Sequence, residues 1–413
     1  MQYKVLFKRC LLAIVVMFVV TSLQAQREMK TINDNWEFRK SIDESWESVN
    51  LPHTFNIDAY QQRNYYQGKG FYRRTLVLPE IVAERRYYMK IDAASKAANI
   101  RVNGKEVGSH VGGYTACIVD ITEYIRKENL IEITVDNGRK DITPISADFT
   151  FWGGIYRDVW LISTPKQHFN MSNMGSDGIF ISTPVVNEKR GVLKVKCEVT
   201  NDSHESSILE VRSAIYSPQG KLLQTIKQKQ KLKSGETYIF ENTSGAIESP
   251  DLWSPETPSL YLVKTTLVDP KSGKLLDEKN HKVGFRWFTF DGSKGFFLNG
   301  KSYKLRGLNR HQDQAPAGVA LDDEAHRRDI FLMKELGCNF IRISHFPQDD
   351  AILEMCDELG LLAWEEIPII NIVPNTPGYD DNCEYNMREM IRRQYNHSSV
   401  ITWGHTNEIL LPA

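Results

Sequence analysis

Cysteine is scarce in this sequence, with six among 413 residues. Cys10 lies in the N-terminal head, and Cys117, Cys197, Cys338, Cys356 and Cys383 are scattered, with no Cys-x-x-Cys pair. That spacing excludes a disulfide-stapled scaffold and a thiolate metal centre, and leaves buried free thiols. An excess of charge of one sign is also lacking: 51 Lys and Arg stand against 52 Asp and Glu, a formal net charge of −1. Such balance argues against nucleic acid or an anionic membrane as the main partner. Long apolar runs are missing too. The apolar stretch 11–20 is shorter than the roughly 20 residues that span a bilayer. It follows Lys4, Lys8 and Arg9 and is closed by a small, polar stretch ending at Ala25, the pattern of a secretory signal peptide over residues 1–25. The expectation is a periplasmic or secreted protein with no membrane span once that segment is removed.

What remains is enough to fold. A hydrophobic share of 41% supports real cores, and the length suggests roughly two to four domains. From 26 to 166 the chain reads as short strands, among them 70–78, 129–135 and 155–162, each mixing β-branched and aromatic residues with period-two alternation. Asn103-Gly104, between apolar-alternating flanks, predicts a tight hairpin, because both residues tolerate positive φ. A β-sandwich follows. A second β-rich block, 167–284, holds strands at 191–199 and 209–216 joined through Ser217-Pro-Gln-Gly220, a pattern suited to an immunoglobulin-like sandwich. It shows no chemistry of its own. From 285 to 413 strands alternate with amphipathic helices: strands at 303–308, 339–343, 361–364 and 400–403, helices at 322–336, 349–359 and 382–395. That alternation predicts the first half of a (β/α)8 barrel, with a doubly wound sheet as the alternative.

Barrel enzymes gather their catalytic groups at the C-terminal ends of strands. Those positions here read Asn309-Arg310-His311, Ser344-His345, Glu365-Glu366 and Asn407-Glu408. A lone histidine is usually structural; two histidines and two acidic ends at equivalent positions point to a site.

These segments carry a family resemblance. Asn339-Phe-Ile-Arg-Ile-Ser-His-Phe-Pro347 and Asn396-His-Ser-Ser-Val-Ile-Thr-Trp-Gly-His-Thr-Asn-Glu408 resemble the two barrel motifs of glycoside hydrolase family 2. Leu305-Arg-Gly-Leu-Asn-Arg-His311 looks like that family's entry into the barrel, and Gly154-Ile-Tyr-Arg-Asp-Val159 like the end of its jelly-roll sugar-binding domain. The resemblance implies a retaining β-glycosidase acting on β-linked oligosaccharide or glycan, with no cofactor. Glu408 would be the general acid, then base. Arg342 would hold the nucleophile ionised. His311, His345 and Asn407 would contact sugar hydroxyls. Asp148, before Phe149-Thr-Phe-Trp-Gly-Gly154, is similar to the aspartate that β-galactosidases bring to the sugar's 6-hydroxyl, and so implies terminal β-D-galactosides. β-Glucuronidase and β-mannosidase of the same family are alternatives. Ile367-Pro-Ile-Ile370 stands where the best-known galactosidases carry a metal-binding Glu-x-His pair, so no metal is implied.

Retaining hydrolysis needs two carboxyl groups about 5–5.5 Å apart, the second a nucleophile. The family places it on a later strand, and the sequence stops at Ala413. The expectation is therefore a chain without its nucleophile, or a non-catalytic carbohydrate-binding fragment. Glu365 and Glu366 are poor substitutes, because they follow the third strand. Subunit association is left open.

Overall fold

A computed structural model describes residues 26–409; the signal-like segment lies outside the described residues. The first body pairs two antiparallel sheets. One orders strands Glu28–Thr31, Val159–Pro165, Arg85–Ile91 and Cys117–Asp120; the other runs Glu47–Val49, Trp36–Arg39, Lys69–Val77, Glu128–Asp136, Ala97–Val102 and Lys105–Val111. Period two sorts the side chains. Along Glu128–Asp136, Asn129, Ile131, Ile133 and Val135 are buried while alternate residues face out. Trp36, Met89, Ile100 and Ile133 meet in one core between the sheets. Each such large apolar side chain contributes about 1.5–3 kcal/mol of burial.

The expected hairpin is present: Asn103 and Gly104 have φ of 53° and 77° and join Ala97–Val102 to Lys105–Val111. The strand expected at 155–162 is interrupted. Gly154–Ile155 pairs with Ala94–Ser95, and the long strand starts only at Val159. The intervening Arg157 is buried and donates to the carbonyls of Tyr114 (3.0 Å) and Pro347 (2.8 Å), tying the sandwich to the barrel.

The second body packs Gln167–Phe169, Ile179–Val186, Arg190–Asn201, Glu236–Thr243 and Ile247–Glu248 against a sheet of Leu222–Leu232, Ser207–Tyr216, Tyr261–Val268 and Leu275–Val283. Phe169, Leu193, Val211, Phe240 and Phe285 fill its centre. Trp253 leaves this core, donating its indole N–H to the carbonyl of Asp357 at 2.9 Å and packing on Leu362 and Ile401.

After a short hairpin of Phe288–Asp291, Gly295–Leu298 and Lys301–Ser302, a parallel sheet begins. Its units are β1 (Gly307–Arg310), α1 (Asp323–Glu335), β2 (Phe340–Ile343), α2 (Asp350–Leu359), β3 (Leu362–Glu366), α3 (Tyr379–Arg393) and β4 (Val400–Gly404), with the strands in sequential order. These are the four β/α units expected of the first half of a barrel. Asp322 caps α1 through the Ala325 N–H and Asp349 caps α2 through the Ala351 N–H, each satisfying an otherwise unpaired first-turn donor. Gly360, at φ 75°, ends α2 in the left-handed conformation that glycine adopts without penalty. The expected first strand is displaced: Tyr303 and Leu305 pack beside Trp253 and Phe296, and pairing with β2 begins at Gly307. Among the described residues, β1 and β4 each have one edge without a strand partner, and Leu308 on β1 is 49% exposed.

Candidate active site

The parallel sheet delivers its polar residues at one end. Ile341, Ile343 and Ala363 point into the core with α1 and α2, so the alternate positions Arg342, Trp364 and Glu366 share the opposite face. Glu366 is fully buried, and three nitrogens from two residues converge on it. Arg342 donates Nε to Oε2 at 3.1 Å and Nη2 to Oε1 at 2.9 Å; His345 Nδ1 lies 2.5 Å from the same Oε1. Arg342 Nη2 also donates to Asn407 Oδ1 at 2.8 Å, and its guanidinium sits 4.5 Å over the Trp364 ring. One network thus joins the ends of β2, β3 and β4.

Asn407 is fixed by its backbone as well. The segment after β3 continues the pairing with the segment after β4: Ile367 donates to Gly404, Asn407 to Ile369, and Asn371 to Asn407. Glu408 follows directly. It is exposed, and its φ of 49° lies in the left-handed region, which is costly for a residue with a Cβ. Its carboxylate makes no side-chain hydrogen bond among the described residues.

The other expected residues split. His311, after β1, and His345 stand edge to face with ring centroids 5.2 Å apart. Burial, then the neighbouring His345, pushes the His311 imidazole pKa down, against the pull of Asp313 and Asp148. Asp148 is exposed on the loop from the first sandwich, close enough for its charge to act on His311. Arg310 does not reach the network. It is buried in an ion pair with Asp329 at 2.7 Å and bonds His326 and Gln348. Glu365 points away into the helix layer, where burial raises its pKa to about 8. Trp403 packs in the barrel core.

Phe149 was given no role by the sequence. Its ring lies 5.9 Å from His311 and 6.3 Å from His345, closing the histidine pair from the sandwich side. The loop that carries it is anchored at both the sandwich and the barrel. Buried Lys96 donates to the carbonyls of Arg139 (2.9 Å) and Pro144 (2.7 Å), and Thr143 Oγ1 donates to the carbonyl of Pro368. Only the position of Phe149 next to Asp148 in an aromatic-rich loop signalled it.

Three family models match in chain order: the sugar binding domain of glycosyl hydrolases family 2 over 13–165, the family's central domain over 177–286, and its TIM barrel domain over 291–411. The chain belongs to glycoside hydrolase family 2. A Bacteroides uniformis β-glucuronidase structure is 58% identical with a TM-score of 0.91, covering 94% of this chain and 47% of that one. The β-glucuronidase of Bacteroides fragilis is 33% identical over 404 residues, 94% of this chain and 57% of that protein. The β-galactosidase of Thermoanaerobacterium thermosulfurigenes is 34% identical over 397 residues, 92% of this chain and 54% of that protein. The chain spans about half the length of these relatives.

Proposed function

We propose that this family 2 chain contributes the acid/base half of a retaining β-glycosidase site acting on terminal β-D-glucuronides. The observation that carries the reaction type is Glu408, set directly after an Asn407 that is locked to Arg342 at the end of β4. In this reading Glu408 protonates the departing glycosidic oxygen and then activates water. Asn407, His345 and His311 meet sugar hydroxyls, and the Nη1 edge of Arg342, which makes no hydrogen bond among the described residues, is left for a second carboxylate. Glu366 is not that carboxylate, because both its oxygens are engaged and it has no exposed surface.

The glucuronide is favoured over the galactoside by the 58% identity to the Bacteroides uniformis β-glucuronidase. Asp148 beside His311 supports the galactoside as second reading. The signal-like residues 1–25 support action outside the cytoplasm.

The test is hydrolysis of nitrophenyl β-D-glucuronide and β-D-galactoside by the protein, beside Glu408→Gln. Turnover of the glucuronide, reduced at least about 1,000-fold in the variant, is the expected result. Faster galactoside turnover would reverse the sugar assignment. No turnover of either, with sugar binding retained, would replace the enzyme with a binding protein.

A further inference from the structure

Glu366 has no part in the reaction as proposed, yet it is the most heavily engaged group in the site. It is a fully buried carboxylate on the face of β3 shared with Arg342, and its Oε1 takes both Arg342 Nη2 and His345 Nδ1. A structural ion pair with Arg342 would need only the two-point fork. The third contact brings in His345, whose ring stands against His311 and Phe149.

We infer that Glu366 is a positioning residue that holds His345 with its proton on Nδ1, so that Nε2 presents a lone pair to a sugar hydroxyl; this rests on the glycosidase reading. The chemistry follows from the donor inventory. A carboxylate only accepts, so the imidazole nitrogen facing it carries the hydrogen. In the neutral ring Nε2 is then the acceptor, and it makes no hydrogen bond among the described residues. As the sugar ring gains oxocarbenium character its hydroxyls become stronger donors. A fixed acceptor is therefore bound more tightly in the transition state than in the ground state. The same carboxylate holds the Arg342 fork, and through it Asn407, in register with Glu408.

Glu366→Gln is nearly isosteric but replaces two acceptors with one acceptor and one donor group. Oε1 takes both His345 and Arg342 Nη2 while Oε2 takes Arg342 Nε, so the amide nitrogen faces Arg342 in either orientation and His345 only when it takes the Oε1 place. Facing His345, it moves the imidazole proton to Nε2 and removes the acceptor. The expected result is a kcat lowered about 100-fold with KM changed less than about 3-fold, since the lost interaction belongs to the transition state. Glu366→Asp, which keeps both acceptors, should recover part of the rate.

A second measurement needs no turnover. In 15N-histidine-labelled protein, with the His345 signals assigned by their loss in His345→Gln, neutral His345 should show a protonated Nδ1 and an unprotonated Nε2. Glu366→Gln should abolish that sole state. A wild-type proton on Nε2 overturns the inference. So does an unchanged kcat in Glu366→Gln, or a KM rise without a kcat loss. Absence of turnover in the wild type sinks the glycosidase reading instead, and the tautomer then decides the role of Glu366 alone.

Discussion

Asn407 donates its backbone N–H to the carbonyl of Ile369 at 2.8 Å, although both residues lie beyond the ends of their strands. The parallel pairing of β3 and β4 is thereby extended up to the residue that precedes Glu408. Backbone pairing fixes where Asn407 stands, so its side chain is free to serve Arg342. Asn407→Ala should therefore cost only about 1 kcal/mol of stability, because Arg342 Nη2 keeps its bond to Glu366. In the proposed enzyme kcat/KM should fall about 100-fold. Thermal unfolding and steady-state kinetics on one preparation check both numbers; activity within twofold of wild type would remove Asn407 from the sugar site.

Lys96 governs the loop that brings Asp148 and Phe149 to the barrel. It is buried at the Ser95–Lys96 edge, bonded to two carbonyls, and burial pushes its pKa down to about 8. A lysine with a folded pKa below its unfolded value binds fewer protons when folded, so its contribution to stability grows as pH rises from about 8 towards 10.5. Lys96→Met removes that slope and strands two carbonyls, at about 1–3 kcal/mol. Urea unfolding of both proteins between pH 7 and 10 measures the difference, which should widen with pH. A constant difference would mean that Lys96 titrates normally.

Glu365 gives the opposite sign. It is buried beside Arg393, Asp350 and His397, one of its oxygens has no partner among the described residues, and burial raises its pKa to about 8. The folded protein then holds a proton that the unfolded chain releases near pH 4.5. Stability from this group is complete below about 4.5 and is lost as pH rises to about 8. Glu365→Gln, neutral throughout, should match the wild type near pH 5 and exceed it in melting temperature at pH 8. Parallel melting curves across that window would place the Glu365 pKa in the ordinary range.

The contrast between Glu365 and Glu366 shows where the sequence stops being informative. The two are adjacent acidic residues at one strand end, and the alternation of β3 sends one into the helix layer and the other into the site. Local signals were readable: Asn103-Gly104 made its hairpin, the helices expected at 322–336 and 349–359 formed, and the β/α rhythm gave the barrel. The first barrel strand was misplaced because Tyr303 and Leu305 alternate like a strand while packing on Trp253. Phe149 was missed, and Glu366 was read at its strand end without its partners, because those partners lie far away in the chain: Phe149 meets His311 and His345, and Glu366 meets Arg342 and His345.

His110 and Glu389 extend that argument to the junction of sandwich and barrel. Glu389, buried on α3, takes His110 Nε2 at 2.9 Å and the Thr115 hydroxyl, so one carboxylate satisfies two donors from the sandwich. Removing it by Glu389→Ala leaves both donors buried without a partner and should cost about 2–4 kcal/mol. His110→Phe removes one donor at a smaller cost. If the pair acts as a unit, the double variant should be less damaged than the sum of the singles, by about 1 kcal/mol or more. The melting temperatures of the four proteins give the coupling directly. Hydrogen exchange should show α3 losing part of its protection in Glu389→Ala, because that carboxylate joins Asn382 and Arg393 in tying the helix to the sandwich. Strict additivity, with α3 still protected, would show that other contacts hold the sandwich to the barrel, among them Arg157 to Pro347 and Arg393 to Asp92.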